Sequence, residues 1–255
     1  MQSLAPIVVE PLLRGRFGRP YLYLERCETT QRLLDAGFPE GAVAVCEEQT
    51  SGRGRLGRTW EAPLGSSILV SILLRPPAAS RPAELTLVAA LAAALAIERA
   101  AGRSAEVKWP NDVLLDGGKV SGILAEVVPG HPEAVVIGAG VNTLMTRADL
   151  PVETATSFAA TGLEVDEDRL LADYLVTLDA HLTALSTAHG DAAAAGILGE
   201  IEALCTTIGS EVVVSLPDGT KLRGHAQRID PEGRLVVIDG DVETPVSAGD
   251  VVHVR

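Results

Sequence analysis

Cysteine is scarce here: Cys27, Cys46 and Cys205 are odd in number and far apart, and none belongs to a C-x-x-C pair. That excludes a disulfide framework or a structural zinc site and fits a reducing cytosol. The five histidines contain no H-x-x-x-H pair, so no metal site of the usual spacing is present. No apolar run reaches the length of a membrane span, and the N-terminal MQSLAPIVVEPLLRGRFG has no apolar signal core. The chain reads as soluble and cytoplasmic. Positive charge is short as well. A formal net charge of −13 repels phosphate backbones and excludes a non-specific polyanion binder. Any anion site must therefore be a local basic patch.

Lysine is the scarcest charge of all. Only Lys108, Lys119 and Lys221 stand among 21 basic residues, and the first two share the run VKWPNDVLLDGGKVSGILAE. In a chain that prefers arginine, a lysine points to a need for a compact point charge rather than a planar fork. The two tryptophans, Trp60 and Trp109, each lie beside a charged motif.

What is abundant is apolar: 47% of the 255 residues, enough for one large domain or a medium and a small one. ETTQRLLDAG reads as a short helix with Thr29 or Thr30 near its N-cap, and AVAVCEE and SILVSILLR as strands. PAELTLVAALAAALAIERAAG is a strong alanine-rich helix closed by Gly102. Three or four strands follow through AEVKWP, VLLDGGKVSGILAEVV and EAVVIGAGVN, with Asp116-Gly117-Gly118 as a hairpin turn. DEDRLLADYLVTLDAHLTALSTA is amphipathic at helical spacing, and a further helix is expected over 191–204. From Ile208 the chain turns to short β-runs separated by PDG, PEG and DGD, the pattern of a small antiparallel barrel. The expected division is 1–205 and 206–255.

The stretch QTSGRGRLGRTW, residues 49–60, contains a literal G-x-G-x-x-G. A dinucleotide fingerprint needs a helix opening within it and an acid about 20 residues later. TWEAPLGSS carries a proline and a turn instead, and LLRPPAAS supplies no acid, so that reading is rejected. A Walker A motif ending at Lys119 fails too, since positions 113 and 120 are both valine. A repeated RNA-binding arginine/glycine segment would sit in a basic chain. An anion-enclosing loop remains against a solvated surface loop: glycines let backbone fold tightly, and Arg53, Arg55 and Arg58 offer bidentate donors to carboxylate or phosphate. Joined with the KWPND run and the Gly-Lys turn, the loop supplies what ATP-dependent activation of a carboxylic acid requires. Cations must hold two anions in contact despite repulsion, and an indole can stack on adenine.

At this point the sequence closely resembles the biotin protein ligases, the biotin–[acetyl-CoA-carboxylase] ligase family. The resemblance rests on EEQTSGRGRLGRTW, KWPNDVLLDGGKVSGILAE, IGAGVN and the ending GHAQRIDPEGRLVVIDGDVETPVSAGDVVHVR, and it covers about residues 20–255. It implies an α/β (α+β) fold: a mixed sheet packed with helices, like class II aminoacyl-tRNA synthetases, followed by a small SH3-like β-barrel. It also implies two half-reactions. Biotin and Mg-ATP give biotinyl-5′-AMP and pyrophosphate, and biotin then passes to a lysine of biotin carboxyl carrier protein.

Carried over by position, Thr29, Thr30 and Gln31 would lie near the biotin ureido ring. Gln49 and Gly52, Arg53, Gly54 and Arg55 would enclose biotin, and Gly122 would permit close approach of a strand. Arg53 would order the loop over the adenylate, and Arg55 and Lys119 would meet the carboxylate and α-phosphate. Arg58 would meet the outer phosphates, Trp60 would pack on adenine, and Lys108, Asn111, Asp112 and Asn142 would line the nucleotide side. Asp112 is the one candidate magnesium contact. Only about 20 residues precede the resemblance, so a DNA-binding winged helix and a repressor role are not expected. Two alternatives stand beside this reading: a lipoate or octanoate ligase or transferase, and a non-catalytic biotin- or nucleotide-binding module. A homodimer stands as an alternative to a monomer.

Overall fold

The structure, a computed structural model, describes residues 3–247 and 249–254. Two sheets organise the chain. The larger has seven strands: β1 (Tyr21–Cys27), β2 (Val43–Gln49), β3 (Ser67–Leu74), β4 (Ala105–Lys108), β5 (Asp112–Leu115), β6 (Gly118–Val128) and β7 (His131–Asn142). They lie in the order β1-β2-β3-β7-β6-β5-β4. β1 and β2 are parallel and every other pair is antiparallel, which makes the sheet mixed, as expected.

One face of this sheet carries the helices. α2 (Pro82–Ala101) follows from its alanines and leucines, starts with Pro82 in its first turn, and ends at Gly102, whose φ of 62° places it in the left-handed region. Glu84 caps its start by accepting a hydrogen bond from the Arg81 amide at 3.1 Å. The helix is apolar almost all round and buried almost all round, from Leu85 to Ile97. Ile68, Val70, Ile72 and Leu74 alternate along β3 into the same core cluster, and Leu73 turns to a smaller one with Leu34, Ala44 and Val136. α3 (Glu167–Thr187) covers α2 with Leu170, Leu171, Tyr174, Leu175, Leu178 and Leu182, the stripe its spacing predicts.

Three elements escape the sequence reading. The segment before β1 contains α1 (Pro6–Val9) and buries Leu4, Val9, Leu13 and Phe17 against the core. The Leu4 amide donates to Asp168 at 2.6 Å, and the Tyr21 hydroxyl donates to the Leu4 carbonyl. β1 is an edge strand with three consecutive exposed residues, so it lacks alternation. In the second sheet, β11 (Val242–Val246) lies outside the expected β-runs, and its Pro245 weakens any strand signal there.

Two helices are shorter than expected. Residues 28–37 form only a single 3-10 turn, Thr30–Arg32, because Thr30 and Gln31 turn inward and are buried. The last helix, α4 (Ile197–Leu204), starts late because Gly196 has a φ of 77°, in the left-handed region.

The second sheet contains β8 (Glu211–Ser215), β9 (Lys221–Ile229), β10 (Leu235–Asp239), β11 and β12 (Asp250–His253), all antiparallel in the order β11-β10-β9-β8-β12. Trp109 joins it to the first. Its ring is 1% exposed, its Nε1 donates to the Gly233 carbonyl at 3.1 Å, and its amide donates to the Thr207 hydroxyl.

Candidate active site

The face of the large sheet opposite the helices is floored by glycine. Gly122 on β6 stands opposite Gly140 on β7, and Gly138 stands opposite Leu124. The Trp60 indole lies flat across this floor. A Cβ at Gly122 would come within 2.9 Å of the indole Cζ3, and one at Gly140 within 2.6 Å of Cζ2. Gln31 covers Gly138 at 3.1 Å from where its Cβ would be. Side chains at these positions would displace the groups that shape the pocket.

A narrow cleft opens over this floor, lined by Thr29, Thr30, Gln31, Gln49, Arg53 and Trp60 among others. Its polar end is tied together. Gln49 Oε1 accepts from the Thr30 amide at 2.8 Å and from its hydroxyl, and that hydroxyl also meets Ser71 Oγ at 2.8 Å. Gln31 Nε2 donates to the Leu124 carbonyl at 3.0 Å. Three buried polar atoms here have no hydrogen-bond partner: Thr29 Oγ1, Gln31 Oε1 and Trp60 Nε1. Such atoms are costly unless something polar fills the cavity. A compact group carrying both N–H donors and a carbonyl would satisfy them. Cys46 on β2 is fully buried with its Sγ 3.1 Å from that of Cys27. That contact and burial push its thiol up, away from nucleophilic use.

A second, larger cleft shares Arg53, Trp60, Gly122 and Leu124 with the first and gathers the cations. The 52–60 loop is a tight hairpin, with the Gly54 amide on the Arg58 carbonyl at 2.8 Å and the Trp60 amide on the Gly52 carbonyl at 3.0 Å. Its three arginines diverge. Arg53 pairs with Glu126 of β6 at 2.9 Å, Arg55 donates to Asn111 Oδ1 at 3.1 Å, and Arg58 pairs with Asp250 of β12. Burial holds the Arg55 guanidinium below its ordinary pKa. Lys119 pairs with Asp112 at 2.7 Å, and its Nζ lies 5.7 Å from the Trp60 ring centroid. Lys108 lines the same cleft, opposite Asp112 in register.

A β-bulge aims Lys119. The register of β5 and β6 slips between Val113 and Leu114, so that Val120 and Ser121 are both buried although adjacent. Strict alternation would put Lys119 on the side of Ser121. The extra residue returns it to the side of Gly122, whose Cβ would lie 3.2 Å from Lys119 Cε. The 154–156 segment fixes its backbone on both sides: the Lys119 amide donates to the Thr154 carbonyl and the Thr156 amide to the Lys119 carbonyl, each at 2.8 Å.

A third cleft, more apolar, runs past Trp60 and Lys119 to Asn142, Pro151, Val152 and Ala155. Asn142 Nδ2 donates to the Thr156 carbonyl at 2.9 Å.

Apart from Gly52, which is buried behind the Trp60 carbonyl and lines none of the clefts, the candidate residues from the sequence fall around one connected cavity, with Trp60 in all three clefts. Glu126, Asp250 and Ser71 were not among them. Ser71 had a signal, as a hydroxyl in the apolar run SILVSILL; Asp250 had none, being 192 positions from Arg58. Among the described residues no group of three His, Cys, Asp or Glu could hold a metal, and both acids of the second cleft are ion-paired. No helix among the described residues is long and apolar enough to cross a membrane.

Comparison with known proteins gives the family and the fold. Residues 23–142 match the Biotin/lipoate A/B protein ligase family, and residues 207–254 match the Biotin protein ligase C terminal domain. The chain is 37% identical over 225 residues to the biotin–[acetyl-CoA-carboxylase] ligase of Mycobacterium tuberculosis, covering 85% of this chain and 80% of that one. It is 34% identical to the bifunctional ligase/repressor BirA of Bacillus subtilis, over 86% of this chain and 70% of that one. Among solved structures, the biotin protein ligase from Aquifex aeolicus in complex with biotin and ATP superposes with a TM-score of 0.78 at 26% identity, covering 92% of this chain and 98% of that one. On these matches, carried by both sheets, the chain belongs to the biotin protein ligase family.

Proposed function

We propose that this chain condenses biotin with ATP to biotinyl-5′-AMP and pyrophosphate, then passes biotin to the ε-amine of a lysine on biotin carboxyl carrier protein. The observation that carries the reading is the junction, at Gly122, Arg53 and Trp60, of a small cleft lined mainly by hydroxyl and amide side chains with a larger basic one. A carboxylic acid held in the first meets a phosphate held in the second only there.

Thr29, Thr30, Gln31 and Gln49 take the ureido ring, whose N–H and C=O groups answer the unpartnered Thr29 Oγ1 and Gln31 Oε1. Gly52, Gly54 and Gly122 admit the bicycle and its tail. Arg55 and Lys119 hold the carboxylate and α-phosphate together as charge builds on the phosphorus, Arg53 closes the loop over the adenylate, and Arg58 takes the outer phosphates. Trp60 and Asn142 flank adenine, and Lys108, Asn111 and Asp112 line the nucleotide side. Mg²⁺ enters on the ATP phosphates as part of the substrate, since the surrounding acids form no cage for it. We assign 1–205 to catalysis and 206–255 to the smaller domain. The charge of −13 supports a protein acceptor over DNA.

Pyrophosphate release tests the reading. Biotin with ATP should give rapid release and labelling of a carrier domain, while lipoate or octanoate should give neither. Release with lipoate alone would move the chain to the other branch of the matched family; no release with any acid, and no labelling, would make it a binding module.

A further inference from the structure

The hydrogens on the polar wall of the first cleft can be placed one by one. Thr30 Oγ1 lies 2.8 Å from Ser71 Oγ and 3.3 Å from Gln49 Oε1. Both hydroxyls are buried, and each has one hydrogen to give. The Thr30 amide donates to Gln49 Oε1 at 2.8 Å, which fixes that amide with its oxygen towards Thr30. Among the described residues Ser71 Oγ makes no other hydrogen bond. Were Thr30 to donate to Ser71, the Ser71 hydrogen would be buried without an acceptor, at a cost in free energy. With Ser71 donating to Thr30, and Thr30 to Gln49, every hydrogen has an acceptor. Strand alternation puts Ser71 in place for this. Ile68, Val70 and Ile72 of β3 pack towards the helices, so Ser71 turns to the other face, beside its ladder partner Gly138, which Gln31 covers.

We infer that Ser71 is a positioning residue for biotin, acting through Thr30 to make that hydroxyl an acceptor only. The inference rests on the biotin ligase reading. Ser71 does not line the cleft, whereas Thr30 does. With its own hydrogen spent on Gln49 and one lone pair taken by Ser71, Thr30 Oγ1 keeps a single lone pair for a ligand. Gln31 is fixed in the same sense: its Nε2 donates to the Leu124 carbonyl, and its Oε1 is left without a partner. The wall therefore presents two acceptors whose roles are set before any ligand arrives. The two N–H groups of a cyclic urea are their complement. A dithiolane ring or an alkyl chain has no N–H and would leave both acceptors buried and unpaired, the kind of mismatch that a polar site rejects most strongly. Ser71 thus contributes to the choice of biotin over lipoate or octanoate without touching either.

The test measures biotin binding to the full chain by calorimetry, for wild type, Ser71→Ala, Thr30→Ala and the double variant. Ser71→Ala should weaken biotin about fivefold, the size of one lost hydrogen bond. In the Thr30→Ala background the same change should cost less than about 1.5-fold, because Ser71 then has nothing to act through. Ser71→Thr keeps the hydroxyl and should bind biotin within about twofold of wild type. In turnover, Ser71→Ala should raise KM for biotin about fivefold and leave kcat and KM for ATP within about twofold. Wild-type binding by Ser71→Ala, an equal loss in both Thr30 backgrounds, or an equal loss in Ser71→Ala and Ser71→Thr would overturn the inference. So would a rise in KM for ATP that matches the rise for biotin. Absence of biotin binding by the wild-type chain would sink the ligase reading itself.

Discussion

At the scale of single residues, the proposed site rests on a few charged side chains. Lys119 is one of three lysines, and it alone faces both Asp112 and the Trp60 ring. Lys119→Ala should cut the adenylation rate by about 100-fold or more, through loss of a cation that acts on developing charge. Lys221→Ala, on β9, should stay within about twofold, and pyrophosphate release measured on both variants side by side checks it. Equal losses would contradict the assignment. The place of Lys119 in the cleft was legible in the sequence because the residue combined rarity with a glycine turn. Its counter-ion role with Asp112 was not, since seven positions along a strand–turn–strand say nothing about side-chain direction. The same holds for Arg58: its motif named it, but Asp250 is brought to it only by the packing of the second sheet.

At the scale of elements, long periodic segments were read well. α2 and α3 fall within a residue or two of their expected spans, because apolar periodicity and end signals agree there. The bulge in β6 is another matter. VLLDGGKVSG looks like an ordinary hairpin, and the extra residue that re-aims Lys119 has no compositional mark. The N-terminal arm was missed for a similar reason: what holds it is tertiary. Ser3 and Thr143 donate their hydroxyls to Glu167 at the start of α3, a carboxylate that burial pushes above its ordinary pKa. The sign follows from that direction. A carboxyl with a raised folded-state pKa binds its proton more readily folded than unfolded, so its contribution is fully present below the unfolded pKa, about 4.3, and is lost as pH rises through the folded value. Glu167→Gln removes this dependence. Thermal unfolding between about pH 7 and pH 4.5 should show wild type gaining on the variant as pH falls. A constant difference across that range would mean the carboxyl is not protonated on folding.

At the scale of the whole molecule, the two sheets meet where the nucleotide cleft closes. Asp250, Val251 and Val252 of β12 form part of that cleft's wall, so anything that loosens the second sheet should be felt by ATP before biotin. Trp109 is the bolt. Trp109→Phe removes the Nε1 donor and leaves the Gly233 carbonyl buried without it, a loss of about 1–3 kcal/mol in urea unfolding. We expect KM for ATP to rise several-fold with KM for biotin nearly unchanged; a rise in both would mean the sheets move together. The fold class and the family motifs could be read without coordinates, but this division of labour could not, because KWP gives no hint that its indole reaches residue 233. The scarcity of tryptophan has an optical consequence too. Trp109 is sealed from solvent, whereas Trp60 lies on the glycine floor where all three clefts meet. Ultraviolet emission from the unmodified chain therefore contains one steady component and one that senses occupancy. The Trp109→Phe variant would leave the responsive indole alone, an unlabelled fluorometer for biotin built into the protein by its own composition.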